Sequence, residues 1–386
     1  MNIKESKCKI KKIVIYILFV SIWVSFVFLF LSISKIKKIL LFTCLLILFP
    51  IFWSNKSNSL KKYIYYILMI ITILVYPIIS VIHLYSYNSS TNFGFKKESM
   101  FPVLGNLSTK SLFDPNVIMG QDGTYRMYVS YRKEGAIAVT TSKDGKNWEK
   151  LKIALFGNPE NEWEKTVNRC SVIYKDNKYI MFYTGQFNDE SKIGIAESED
   201  GYEFKRIQSN PVIIPDNDYE KKSVMNPYVF FDTDEQIYKM WYAAGETYEP
   251  DVIAYATSID GINWKKYENN PILKNGEENS LDDFKVGACE VYKLKNKEYL
   301  MFYIGYTDIN TARILYATSE DGINWDRENK KAVIESSKFG FDGNATYKPT
   351  AIYDEKKEKW LIWYNGRLVH REYIGFATCK IKDFWK

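Results

Sequence analysis

The 386-residue sequence repeats itself. Four segments align on an Asp-Gly turn, "TSKDGKNW" (141–148), "ESEDGYEF" (197–204), "TSIDGINW" (257–264) and "TSEDGINW" (318–325), at a period of roughly sixty residues. Such a period signals a propeller or solenoid, in which a unit too small to bury its own apolar face packs against its neighbours. Upstream of each turn lies an aromatic segment, "YRMYVSYR", "YIMFYTGQ", "YKMWYAAGE" or "YLMFYIGY", and "KWLIWYNGR" supplies a fifth. Each is preceded by another short apolar segment: "DPNVIM" (114–119), "RCSVIY" (169–174), "NPYVFF" (226–231), "ACEVYK" (288–293) and "KPTAIY" (348–353). Short alternating segments joined by Asp-Gly or Asn-rich turns read as antiparallel strands. Five copies predict five blades of four strands, an all-β propeller.

The fifth copy runs out before its outer strand. The chain ends "YIGFATCKIKDFWK", without the segment that other copies show as "WKKYENNPIL" or "FKRIQSNPVI". Residues 95–104, "FKKESMFPVL", keep the same spacing of aromatic residue and proline. They are expected to complete the last blade and close the ring with the two ends of the domain. The Asp and Gly of each repeat are assigned to its turn, and its Trp to packing between blades.

Ahead of the repeats the composition changes. Residues 1–62 hold eleven Lys against one Glu and carry +10, so the overall charge of +6 has its basic excess there and residues 63–386 carry −4. No basic stripe remains for nucleic acid, whose binding requires one. Runs 13–34, 39–53 and 63–85 are apolar enough to predict α-helical transmembrane spans, the middle one short of the usual length. Residues 1–86 are thus expected to form a membrane segment in contact with the lipid bilayer, 87–94 a linker and 95–386 the propeller. Lysines before the first span and between the second and third predict a multi-pass protein with its propeller on the extracytoplasmic side. Cys170, Cys289 and Cys379 lack framework spacing and read as buried free thiols.

Where the first strand of each repeat begins and the second ends, both contribute to one mouth of the central funnel. First-strand positions are Asp114, Arg169, Asn226, Ala288 and Lys348, with Glu290 two residues further along on the same face by strand alternation. Second-strand ends offer Arg132, Gln186, Glu246, Tyr306 and Arg367. Carboxylates and bases concentrated at one mouth suit a polar ligand. A solvated rim of mutual salt bridges is the plainer alternative.

The "FDPNVI" opening of blade 1 and the repeated "YATSxDGxNW" blades resemble the five-bladed propeller superfamily of glycoside hydrolase families 43, 32, 62, 117 and 130, the arabinanase, invertase and mannoside phosphorylase type. In families 43 and 32 the resemblance implies an Asp opening blade 1 as base or nucleophile, a second Asp opening blade 3, and a Glu just before blade 4 as acid. Asp114 matches the first. Asn226 stands at the second and Gly287 at the third, with Glu290 three residues later. A glycosidase needs two carboxyl groups flanking the scissile bond, so Asp114 is expected to pair with Glu290 or Glu246. Arg132, Arg169, Asn226, Arg367, Lys348, Tyr306 and Gln186 are the expected substrate contacts. The guanidinium groups would suit an anionic sugar or a phosphate nucleophile. No cofactor is expected, although the resemblance allows a structural calcium ion near the axis, with His370 the propeller's one histidine.

Three functions remain open at this point. They are a glycoside hydrolase acting on cell-surface or imported glycan, a glycoside phosphorylase, and a non-catalytic carbohydrate-binding or assembly propeller of envelope polysaccharide metabolism.

Overall fold

The computed structural model describes residues 90–106, 108–294, 298–338 and 340–384. A short strand β1 (Lys96–Lys97) comes first. Blade 1 is β2 (Leu112–Met119), β3 (Tyr125–Tyr131), β4 (Ala136–Ser142) and β5 (Lys152–Leu155); blade 2 is β6 (Thr166–Lys175), β7 (Lys178–Phe187), β8 (Glu190–Ser198) and β9 (Lys205–Arg206). Blade 3 follows with β10 (Ser223–Asp232), β11 (Ile237–Gly245), β12 (Val252–Ser258) and β13 (Lys265–Lys266), and blade 4 with β14 (Lys285–Lys293), β15 (Tyr299–Asp308), β16 (Thr311–Ser319) and β17 (Asp326–Glu328). Blade 5 contains β18 (Ala345–Asp354), β19 (Lys359–Leu368) and β20 (Arg371–Lys380), and β1 is its fourth strand, with Lys96 opposite Thr378 and Lys97 opposite Ala377. The innermost strands β2, β6, β10, β14 and β18 each touch the next, and β18 touches β2, so the described residues form a closed five-bladed ring.

The apolar residues pack as wedges between blades. Tyr128, Ile137 and Val139 of blade 1 meet Val167, Met181 and Tyr183 of blade 2, and corresponding clusters fill the other seams around to Leu112 and Val117 against Trp363 and Phe376. The Asp-Gly turns lock these seams. In the first turn Asp144 Oδ1 accepts the backbone N–H groups of Lys146 and Asn147, and Gly145 adopts φ 75°, a conformation that favours glycine. The turn carbonyl then receives a donor from the preceding blade: Trp363 Nε1 to Gly145 O (2.7 Å), Tyr128 OH to Gly201 O (2.9 Å) and Trp241 Nε1 to Gly322 O (2.9 Å).

A second device recurs in blades 2 to 5. A fully buried carboxylate before the innermost strand accepts a hydrogen bond from a second-strand tyrosine and an ion pair from the outer strand. Glu164 takes Tyr183 (2.7 Å) and Arg206 (2.8 Å), and Glu220 takes Tyr242 (2.9 Å) and Lys266 (2.7 Å). Asp282 takes Tyr303 (2.9 Å) and Arg327 (3.0 Å), and Asp342 takes Tyr364 (2.9 Å) and Lys97 (2.7 Å). Buried charges persist only when paired and hydrogen-bonded. Lys97 thus brings to blade 5 the base that the other blades find in their own outer strands.

Cys170, Cys289 and Cys379 are buried and free, and burial pushes their thiols up to about 12.

One expectation is corrected. Among the described residues no helix is long and apolar enough to cross a membrane, and the one α-helix is the four-residue Ile381–Phe384. The described residues are all-β, and the α-helical membrane segment, the multi-pass extracytoplasmic placement and the bilayer partner find no support among them. Those readings rested on the length and hydropathy of 13–34, 39–53 and 63–85, which lie outside the described residues, whereas the described chain buries its apolar residues along short strands.

Candidate active site

Asp114, Arg169, Asn226, Ala288 and Lys348 occupy equivalent places on the five innermost strands. All have left-handed backbone, with φ of 51°, 52°, 49°, 25° and 24°, and each lies at a break in the strand register. A residue held this way costs about 1–3 kcal/mol. The bulge bends the strand and re-aims the side chain. Pro115, Pro227 and Pro349 follow three of the five, where the interrupted ladder makes the missing N–H harmless. Neighbouring blades brace two of the bulges: Ser130 Oγ accepts the Arg169 N–H (2.8 Å) and Thr184 Oγ1 accepts that of Asn226 (3.1 Å).

A cavity of about 410 Å³ opens at this end of the ring, within the range of small-molecule sites. Asp114 lines it, nearly buried. Its Oδ2 accepts from Arg169 Nε (3.1 Å) and, more weakly, from Asn226 Nδ2 (3.5 Å). Both contacts fall on one oxygen, so Oδ1 has no partner among the described residues. Arg169 also reaches outward, donating through Nη1 to the carbonyl of Thr247 (3.0 Å) and through Nη2 to that of Tyr248 (3.4 Å).

Those carbonyls belong to the loop between β11 and β12, and that loop carries the carboxyl group the sequence reading missed. Glu249 lines the cavity. Burial raises its carboxyl above the ordinary range, the Tyr306 hydroxyl, Arg169 and Arg367 oppose that rise, and the Asp114 charge reinforces it. The loop is well anchored. Tyr248 OH donates to Asp189 Oδ1 (2.8 Å), Thr247 shares a hydrogen bond with Ser223, and Lys285 Nζ donates to the Glu249 carbonyl (3.0 Å). Asp251 is held by Lys221 and Lys285, both at 2.8 Å. A Cβ at Gly287 would stand 2.6 Å from Pro250 Cγ. The place where the family pattern expects an acid is therefore filled by the loop that presents Glu249.

Glu290 does not line the cavity. It is buried at the axis, where it accepts from Asn116 Nδ2 (3.2 Å), Tyr292 OH and the Ala351 N–H (3.2 Å), with Lys348 Nζ at 3.6 Å. Asn116, Ser171 and Thr350 hold equivalent places in blades 1, 2 and 5, and each accepts a backbone N–H of the next blade, from Val172, Val229 and Val117. Glu290 thus belongs to a ring of inter-blade links. Lys348 lies with it, donating to the Cys289 carbonyl (3.2 Å) and away from the cavity. Glu246 stands exposed, paired with Lys221 (2.8 Å).

The other expected contacts, Arg132, Gln186, Tyr306 and Arg367, line the cavity. Arg132 is paired with Glu372 (2.8 Å). Gln186 Oε1 accepts from Asn168 Nδ2 (3.1 Å). Several buried polar atoms around the cavity have no protein partner: Asn168 Oδ1, Gln186 Nε2, Tyr347 OH, Asn365 Oδ1 and Arg367 Nε. Such atoms are rare in native proteins and demand a ligand or water. His370 sits in the exposed turn between β19 and β20, and among the described residues no group of three or more His, Cys, Asp or Glu is placed to hold a metal.

The comparisons support a likeness to the β-propeller glycoside hydrolase superfamily, whose fold this ring shares. Residues 107–271 match the family described as the glycosyl hydrolases family 32 N-terminal domain. The chain is 29% identical over 220 residues to an uncharacterized protein of Mycobacterium tuberculosis, covering 54% of this chain and 69% of that one. It is 28% identical over 241 residues to the beta-1,2-mannobiose phosphorylase of a Thermoanaerobacter species, covering 58% and 73%. A solved glycoside hydrolase shares the fold with a TM-score of 0.60 at 19% identity, over 72% of this chain and 90% of that one.

Proposed function

We propose that the protein cleaves a glycosidic bond in this cavity, with Asp114 as the base and Glu249 as the acid. The observation that carries the reading is that these two carboxyl groups line one cavity in contrasting surroundings. Asp114 is braced by a guanidinium with one oxygen left open, and burial favours the protonated form of Glu249. A buried carboxyl whose surroundings favour its protonated form, facing a second carboxyl with an open oxygen, is the pairing that acid–base catalysis at a sugar requires. Glu249 donates its proton to the leaving-group oxygen as the bond to the anomeric carbon breaks. Asp114 takes a proton from the water or phosphate that attacks. Unpartnered amide and phenol groups around the cavity supply hydrogen bonds for sugar hydroxyls.

The test is a turnover screen of the full chain on aryl glycosides and oligosaccharides, with and without inorganic phosphate. Asp114→Asn is expected to lower turnover by at least about 100-fold while leaving glycan affinity nearly intact. Wild-type rates in Asp114→Asn on a substrate the wild type turns over would refute the assignment, and acceleration by phosphate would make the reaction a phosphorolysis.

A further inference from the structure

Three arginines line the cavity, and only two are neutralised. Arg132 has Glu372 at 2.8 Å, and Arg169 has Asp114 at 3.1 Å. Arg367, near the end of β19, donates through Nη2 to the backbone carbonyl of Asn310 (3.0 Å) and lies over the Tyr347 ring at 5.2 Å, with no ion pair to a carboxylate among the described residues. Its Nε is buried without a partner, as are the nearby Tyr347 OH and the Oδ1 of Asn365, two residues before it on β19. Among the described residues the Nη1 of Arg367 has no hydrogen-bond partner, and a guanidinium with N–H groups to spare is suited to a carboxylate.

We infer that Arg367, with Tyr347 and Asn365, forms a subsite for the carboxylate of an acidic sugar, making uronate-containing glycans the preferred substrate class. This rests on the proposed function in taking the cavity as the glycan site, but it concerns preference and not turnover. Carboxylate and inorganic phosphate share the chemistry that the guanidinium recognises, and the sugar-borne carboxylate is favoured because the surrounding open groups, a phenol and an amide, suit sugar hydroxyls.

Calorimetric titration of the full chain with glucuronate, galacturonate and mannuronate, each against its neutral parent sugar, tests this. At least one uronate should bind about tenfold or more tighter than its parent, the preference should shrink with added salt, and Arg367→Gln should reduce it to near unity while Arg367→Lys restores part of it. Should Arg367→Gln fail to fold, the salt dependence and Arg367→Lys still decide. Neutral sugars binding as well as every uronate would overturn this inference alone, as would phosphate binding that depends on Arg367 with no uronate preference. Binding of none of the six sugars would overturn the proposed function together with it.

Discussion

Burial, opposed by Tyr306 and Arg169, leaves the Glu249 carboxyl above the ordinary glutamic acid range, and the sign of that shift has a kinetic consequence. An acid catalyst works only while protonated. Turnover should therefore fall as pH rises through a value above about 4.3, and Glu249→Gln should remove that limb of the pH profile. A limb unchanged in Glu249→Gln would place the proton donor elsewhere. Glu290 should behave differently. Glu290→Ala leaves Lys348 buried without its carboxylate, so thermal denaturation should show a loss of about 3–5 kcal/mol, with no selective loss of turnover on poor leaving groups. The sequence pointed to Glu290 because alternation puts residues 288 and 290 on one face. The bulge at Ala288 shifts the register and sends Glu290 to the axis. Glu249 escaped notice because it has no counterpart in other repeats. Its signal was loop length: six residues separate β11 from β12, against two at the matching places in blades 2, 4 and 5.

Strands and turns were far more legible than the site, because their determinants are local. The Asp-Gly turns, the aromatic second strands and the Phe-to-Pro spacing of 95–104 all lie within a few residues of what they shape. The carboxylate–tyrosine–base devices were not legible, since their members lie tens to hundreds of residues apart, Lys97 and Asp342 being 245 apart. That last pair gives the element-scale prediction. Both side chains are fully buried, so Lys97→Ala strands a carboxylate in the blade-5 core and should destabilise the propeller by about 3–5 kcal/mol. Chemical denaturation of the full chain measures it. A loss below about 1 kcal/mol would show that β1 contributes little to closure.

For the ring as a whole, the four Asp-Gly turns tie stability to pH. Asp321 is partly buried, which raises its carboxyl, but the N–H groups of Asn324 and Ile323 outweigh this and hold it at about 2, and Asp144, Asp200 and Asp260 are likewise held low. A carboxyl lowered by folding contributes stability above its unfolded value of about 3.9, and that contribution is lost as pH falls toward its folded value. The melting temperature should drop between about pH 4 and pH 2, and less steeply in Asp321→Asn. The same closed ring gathers Asp114 from blade 1, Arg169 from blade 2 and Glu249 from blade 3 at one mouth, and the account stands or falls on chemistry there. The most direct measurement compares Glu249→Gln with wild type on a natural oligosaccharide and on an aryl glycoside whose leaving group needs no proton. The prediction is a loss of at least about 100-fold on the oligosaccharide and a far smaller one on the aryl glycoside. Equal losses on both, or no loss on either, would contradict the assignment of Glu249 as the acid.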